Sequence, residues 1–336
     1  MEEIKRSVAE KDAIKRHKIK NIIITLLPLV ALGILFAALC IVVGIKEYRL
    51  NRYIEIVFNQ GLVLAVVATG AIFIYTLGSF DISLGASTLF SATLGVMVYN
   101  STQSLFLMIL VIFAVGVGCS LLSSTLASVF KLPVFVTTVA MMSVLSAISA
   151  TIITTNGGAL GGISIPSSVV KPLDNMGFKI AMLCVFAALC VFVFEFTKIG
   201  RRQKFLGGNP VCAKMTGISL NKYAIIAFAM AGLGVGLGAF LTLVYTPSVT
   251  TTTAGSLGMQ ILVAIVFGGM PISGGPRSKI YSAIVGGFSY VLLDNILKIL
   301  IQGNAGYGIS QIISAVFFLA IVYVASMNYK SQNLPR

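Results

Sequence analysis

Lys198 to Lys222 reads KIGRRQKFLGGNPVCAKMTGISLNK, a basic polar stretch set between two apolar runs, Ile180–Phe196 and Tyr223–Tyr245. A polar segment of this length sits in water, so it marks where the chain leaves a bilayer. Its Lys198, Arg201, Arg202, Lys204, Lys214 and Lys222 assign it to the cytoplasmic side, where positive loops are enriched. It is also patterned as more than a connector. A glycine turn, Gly207, Gly208, Asn209 and Pro210, opens the short stretch Val211 to Thr216, which ends at Gly217. That stretch is expected to form a short helix along the membrane surface, within reach of a soluble partner.

Outward from this loop the chain is hydrophobic. Apolar residues make up 57% of the 336, charged residues only 10%, and the mean hydropathy is +0.99; soluble domains carry roughly 25% charged residues. The expected fold class is an all-α polytopic membrane protein. At about 20 residues per spanning helix, there is room for about ten transmembrane helices and almost none for a soluble domain. The candidate spans are Ile22–Ile45, Ile54–Leu77, Leu84–Tyr99, Leu105–Phe130, Val134–Thr154, Ile180–Phe196, Tyr223–Tyr245, Leu257–Met270, Ile280–Ile301 and Ile309–Met327. Several are short or glycine-rich, so some helices are expected to be broken. The first is too long for a signal-peptide core and reads as a span. The division is then a cytoplasmic tail (1–21), a transmembrane domain (22–327) carrying the 198–222 loop, and a second cytoplasmic tail (328–336).

Charge supports that topology. With ten spans and both termini cytoplasmic, eighteen Lys and Arg residues fall inside and five outside (Lys46, Arg49, Arg52, Lys171 and Lys179), with Lys298 within a span. The net charge of +14 therefore flanks apolar segments instead of forming a face for nucleic acid. Four of the five cysteines lie in apolar runs and none forms a CxxC, which argues against disulfides and a metal site. The single histidine, His17, lies in the N-terminal tail, so histidine-based catalysis has nothing to work with. The long external loop from Thr155 to Phe178 contains Gly157, Gly158, Gly161, Gly162, Pro166 and Pro172. Its Leu160, Ile163 and Ile165 either lie on the membrane surface, face an external partner, or belong to a plain loop.

Two polar constellations interrupt the spans. Asp81 sits in Gly78-Ser-Phe-Asp-Ile-Ser-Leu-Gly85, whose glycines and serines mark a helix break. Such a break at membrane depth is tolerated where it is buried in protein or lines a watery cavity. Two readings stand: Asp81 and Ser83 beside a translocation path or gate, or a structural cap on the next helix. Asp294 and Lys298 are spaced i and i+4 in the ninth span with Asn295 beside them, so they share one helix face. They read either as pathway residues or as a structural ion pair. No nucleophile–base or acid–base pair is visible, and no enzymatic activity is expected.

The seventh span carries Gly232, Gly234, Gly236 and Gly238, small-xxx-small spacings that let helix backbones approach. They serve packing within the subunit or a dimer seam. A second cluster, GGMPISGG at Gly268 to Gly275, lacks the GxxxxGK[ST] spacing of a phosphate loop and any preceding strand. No nucleotide site or cofactor is expected in this chain; ATP-driven transport would need an ATPase on another polypeptide.

At this point three ordered blocks resemble a known family, the ABC importer permeases of the ribose/galactoside/autoinducer-2 class, within the broader branched-chain amino-acid and sugar permease superfamily. GSFDISLG (Gly78–Gly85) is similar to that family's G-x-D-L-S-V-G segment. Gly200-Arg201 through Gly207-Gly208-Asn209, then Ala213 and Gly217-Ile218, is similar to its cytoplasmic G-R…G-G-N-x-x-A-x-x-x-G-I segment. Thr253-Ala254-Gly255, Gly268-Gly269 and Gly274-Gly275 match its third block. The likeness runs from about Asn51 to the last span. Departures are Gly258 and Gln260, where many members carry acids, and Phe80 and Leu84, where isoleucine and valine are common.

The resemblance implies a permease subunit that pairs with itself or a close relative in the bacterial inner or plasma membrane. Its partners would be a cytoplasmic ABC ATPase that binds the ATP and an external solute-binding protein. It assigns Arg201, Gly207, Gly208, Asn209, Ala213 and Gly217 to the element that touches the ATPase, and Asp81 to the first block. Ribose, another sugar, a nucleoside and other small solutes stay open as cargo. The competing expectation is a self-sufficient secondary transporter or channel, with Asp81, Asp294 and Lys298 as ion-coupling groups.

Overall fold

The computed structural model describes residues 26–157, 161–271 and 273–301, with scattered positions between 308 and 323. Its chain order is α1 (Leu26–Ile45), α2 (Leu50–Thr76), α3 (Leu84–Thr102), α4 (Leu105–Val129), α5 (Val134–Asn156), β1 (Gly162–Ser164), α6 (Ser167–Val170), α7 (Met176–Val191), α8 (Lys198–Gly208), α9 (Pro210–Met215), α10 (Leu220–Tyr245), β2 (Ser248–Thr250), α11 (Leu257–Phe267) and α12 (Ile280–Leu300). Among the described residues, seven helices are long and apolar enough to cross a membrane: α1, α2, α4, α5, α7 with its wider turn Phe192–Phe196, α10 and α12. The protein is an all-α multi-pass membrane protein, with two three-residue strands among the described residues. Two expected spans take other forms. α3 is a 19-residue buried helix rich in Ser and Thr, and α11 is only 11 residues long. The tenth expected span and both tails lie mostly or wholly outside the described residues.

Burial sorts these helices into two layers. α2, α10 and α12 are 72–78% buried over their most apolar windows, whereas α1, α4, α5 and α7 are 17–33% buried and turn apolar faces outward. α3 joins the inner group despite its polarity because its hydroxyls bond back to its own carbonyls. Thr88, Ser91 and Thr93 donate to Leu84, Ser87 and Leu89 at 2.7–2.8 Å. The glycine stripe of α10 packs within the subunit. A Cβ on Gly70 of α2 would lie 2.8 Å from the Met230 carbonyl oxygen, and one on Gly116 of α4 would lie 2.9 Å from the Gly236 nitrogen. Small residues on three helices thus let α10 lie backbone to backbone between α2 and α4, as helices in lipid require when no hydrophobic effect drives them together.

The external loop is structured. β1 pairs antiparallel with β2, Gly162 opposite Thr250 and Ser164 opposite Ser248, and Asn100 of α3 donates to the Ser164 carbonyl at 3.3 Å. Ile163 and Ile165 are buried by this pairing, not laid on a membrane surface, while Leu160 lies outside the described residues. The two broken elements meet. α11 begins after a non-helical stretch that follows β2, and a Cβ on Gly258 would collide with the Ile82 carbonyl oxygen. A Cβ on Gly85 would lie 2.7 Å from the Ala254 carbonyl oxygen. Irregular backbone here is shielded by protein, the condition under which a bilayer protein tolerates it.

Candidate functional site

The basic stretch folds as two helices that turn on each other. Thr197 caps α8, its Oγ1 accepting from the Ile199 N–H at 3.1 Å. The expected glycine turn is instead the end of α8: Gly207 and Gly208 are helical, and the turn falls at Asn209. Asn209 Oδ1 accepts from the Cys212 N–H at 3.0 Å and Pro210 takes the first helical position, so this pair starts α9. α9 ends in a Schellman motif. Gly217 has φ +77°, its N–H bonds the Lys214 carbonyl, and the Ile218 N–H bonds the Ala213 carbonyl, both at 3.1 Å.

This unit is fastened to the bundle at three points. Arg202 Nη1 donates to the Tyr223 hydroxyl at 2.7 Å and Gln203 Nε2 to the Tyr223 carbonyl at 3.2 Å. Leu206, Ala213 and Tyr223 form a small apolar core. At the third point Gly207 abuts the last turn of α2 so closely that a Cβ would collide with the Thr76 carbonyl oxygen. The same oxygen accepts from the Gly275 N–H at 2.9 Å, and a Cβ on Gly208 would lie 3.2 Å from Pro276 Cδ. Two glycine pairs far apart in sequence, Gly207-Gly208 and Gly274-Gly275, therefore form one joint around the end of α2. Outside the joint, Val211 and Met215 of α9 are 65% and 83% exposed and Arg201 is exposed on α8, an apolar and basic face turned away from the bundle.

At the opposite end of the bundle lie two cavities. One, of about 270 Å³, is walled by α2, α10, α11, α12 and the stretch after β2, and its lining includes Asp294, Lys298, Gln60, Gln260, Tyr245 and Thr246. Asp294 and Lys298 form an ion pair at 2.6 Å. Asn295 lies behind the wall, donating to Gln60 Oε1 at 3.0 Å and tying α12 to α2. The second cavity, about 340 Å³, lies between the first turns of α2 and α7 and includes Asn51, Glu55, Asn59, Asp174 and Lys179. Lys179, expected in an external loop, lies in the first turn of α7, 4% exposed and paired with Asp174.

Asp81 and Ser83 line neither cavity. Asp81 is fully buried, and its Oδ1 accepts from the Ser83 N–H and hydroxyl at 2.8 and 2.6 Å. That is a local turn around the carboxylate, placed just ahead of α3. Its Oδ2 has no partner among the described residues. The residues that sequence reasoning passed over are Asn59 and Gln60, two amides inside the apolar helix α2. Their position within a span was the available signal, because polar groups there usually face an interior path or a partner.

The cavity ion pair gives a direct expectation. Lys298→Met leaves the Asp294 carboxylate, 13% exposed, without its partner. The unfolding temperature in detergent is expected to fall by several degrees, and the double variant Lys298→Met with Asp294→Asn to recover much of it, since removing both charges removes the unpaired one. Thermal unfolding of the three forms checks this.

Helices long and apolar enough to cross a bilayer, with a polar cavity among them at one end and the α8–α9 unit at the other, define the class as a multi-pass membrane protein. The chain belongs to the family described as branched-chain amino acid transport system / permease component, whose model matches residues 53–326. Among curated relatives, the ribose import permease protein RbsC of Escherichia coli K12 is 24% identical over 290 residues, covering 82% of this chain and 86% of the relative. The same-named protein of Haemophilus influenzae is 23% identical over 250 residues (73% and 76%). The autoinducer 2 import system permease protein LsrC of Yersinia enterocolitica is 26% identical over 278 residues (81% and 75%). No solved structure matches the chain.

Proposed function

We propose that this chain is the permease subunit of an ATP-binding-cassette importer, forming the translocation path for a sugar or similar small polar solute. A separate cytoplasmic ATPase drives it and an external binding protein feeds it. It acts as a pair, with a second copy or a close relative, in the bacterial inner membrane, with ten membrane-embedded helices, the buried α3 and the short α11 among them, and both termini cytoplasmic. The observation that carries the reading is the joint around Thr76: the α8–α9 unit is locked to the end of α2, whose other half walls both cavities. A push on α9 from an ATPase would therefore reach the cavity walls through one continuous helix. Family membership and the relatives named for ribose and autoinducer-2 import support the same reading.

In this proposal Arg201, Gly207, Gly208, Asn209, Ala213 and Gly217 build the ATPase-coupling element, with Val211 and Met215 as its contact face. Asp294 and Lys298 belong to the path, Asn295 supports its wall, and Asp81 and Ser83 hold the break beside α11. The Asp294–Lys298 pair in the cavity wall also favours a second reading, a secondary transporter coupled to an ion gradient. Proteoliposomes separate the two. Uptake of radiolabelled D-ribose, or of a panel of small polar solutes, is expected only with ATP, the ATPase and the binding protein present; uptake by the chain alone, driven by a proton or sodium gradient, favours the second.

A further inference from the structure

Asn59 lines both cavities. Its side chain is almost wholly buried, and Lys179 Nζ donates to its Oδ1 at 2.6 Å. That bond sets the orientation of the amide, because turning it over would face an NH₂ donor to an ammonium that has only donors. Lys179 is itself held, paired with Asp174 and 5.9 Å from the ring centre of Tyr245, which lines the α10–α12 cavity. The amide nitrogen is left as a buried donor without a partner. Eight buried side-chain polar atoms among the described residues lack one, and Nδ2 of Asn59 alone belongs to a residue lining either cavity. A buried donor without an acceptor is costly, and native folds keep few of them.

We propose that Asn59 contacts the solute. Its Nδ2 donates to an acceptor oxygen, a hydroxyl or carbonyl, as the solute passes from the α2–α7 cavity to the α10–α12 cavity. Lys179 is the positioning residue that keeps the amide turned to offer its donor. This rests on the reading above that the cavities carry solute. In the closed arrangement seen, Nδ2 is shielded, so the contact forms when the two cavities open to one another.

Asn59→Asp is the discriminating variant. Aspartate has the same shape and keeps an oxygen for Lys179, so a purely structural Asn59 tolerates it, whereas a donor to solute is replaced by a repelling acceptor. In vesicles holding the whole importer, D-ribose uptake by the Asp variant is expected to fall by about tenfold or more, with permease abundance and basal ATP hydrolysis unchanged. Asn59→Gln is expected to restore part of it. Lys179→Met, which frees the amide to rotate, is expected to raise the KM for uptake more than it lowers the maximal rate. Uptake by the Asp variant within about twofold of wild type overturns the proposal.

A wild-type importer that takes up no D-ribose excludes that cargo and not the assignment of Asn59. Thiol labelling then decides the latter. Asn59→Cys is placed in a chain whose Cys40, Cys119, Cys184, Cys190 and Cys212 are replaced by alanine, and intact cells are treated with a membrane-impermeant methanethiosulfonate. Modification of the introduced thiol during turnover supports a place on the path. Its absence, while a thiol introduced by Glu55→Cys at the mouth is modified, overturns it.

Discussion

Gly217→Val is expected to uncouple the transporter: ATP-driven uptake falls about tenfold while the chain still inserts and accumulates normally. Gly217 holds φ +77° with open space around a would-be Cβ, so the constraint is conformational and not steric. Left-handed backbone costs an ordinary side chain roughly 1–2 kcal/mol, and a β-branched one is the worst placed there. α9 has only six residues, and isolated helices shorter than about 12–15 residues are marginal. It has no reserve to absorb that cost, so losing the Schellman bonds of Gly217 and Ile218 melts its end and moves Met215. About 1.4 kcal/mol corresponds to a tenfold change in the population of the docking-competent form. Gly217→Asn, which enters the left-handed region readily, is expected to keep most activity. Uptake and ATP hydrolysis by both variants, measured side by side, check the argument; a valine variant that transports normally removes α9 from the coupling role.

Gly207→Ala is expected to have the largest effect of any single methyl group in the coupling unit. Its Cβ would collide with the Thr76 carbonyl oxygen, a backbone atom that cannot swing aside, and would crowd the Gly275 nitrogen at 3.0 Å. Forcing extra atoms into a packed site costs typically 1–3 kcal/mol, and relief here means lifting α8 from α2 or breaking the Gly275–Thr76 bond. Either one disconnects α9 from the helix that walls the cavities. ATP-driven uptake is expected to fall to near background, and the unfolding temperature in detergent to drop by several degrees. Gly208→Ala is the milder neighbour, since its Cβ meets only the edge of the Pro276 ring at 3.2 Å. Equal transport by Gly207→Ala and wild type would separate the joint from the mechanism.

The two variants also show how far local pattern carries. The basic charges, Asn209-Pro210 and Gly217 are short-range signals, and the short helix expected there is present as α9. Gly207 and Gly208 read as a turn because two glycines usually mark one. They end a helix instead, because their small size serves an approach to Thr76, a residue about 130 positions away in the chain. The convergence with Gly274-Gly275 was visible only as an order of motifs. Likewise, the i, i+4 spacing of Asp294 and Lys298 foretold their pairing, but nothing near Asn59 in sequence announces Lys179, which a separate helix supplies. The β1–β2 pairing that buries Ile163 and Ile165 joins two loops with no alternation long enough to read. Seven of the expected spans were legible because hydropathy is local; α3 and α11 departed from the full-span pattern because burial in protein, not contact with lipid, satisfies them.

Co-purification tests the central claim most directly. The tagged chain is solubilised from native membranes and its companions identified by mass spectrometry, for wild type and for Gly207→Ala and Gly217→Val. An ABC ATPase that accompanies wild type in stoichiometric amount and is lost or weakened in both variants is the result predicted. A wild-type preparation that contains this chain alone, and still concentrates solute in liposomes on an ion gradient, would contradict it.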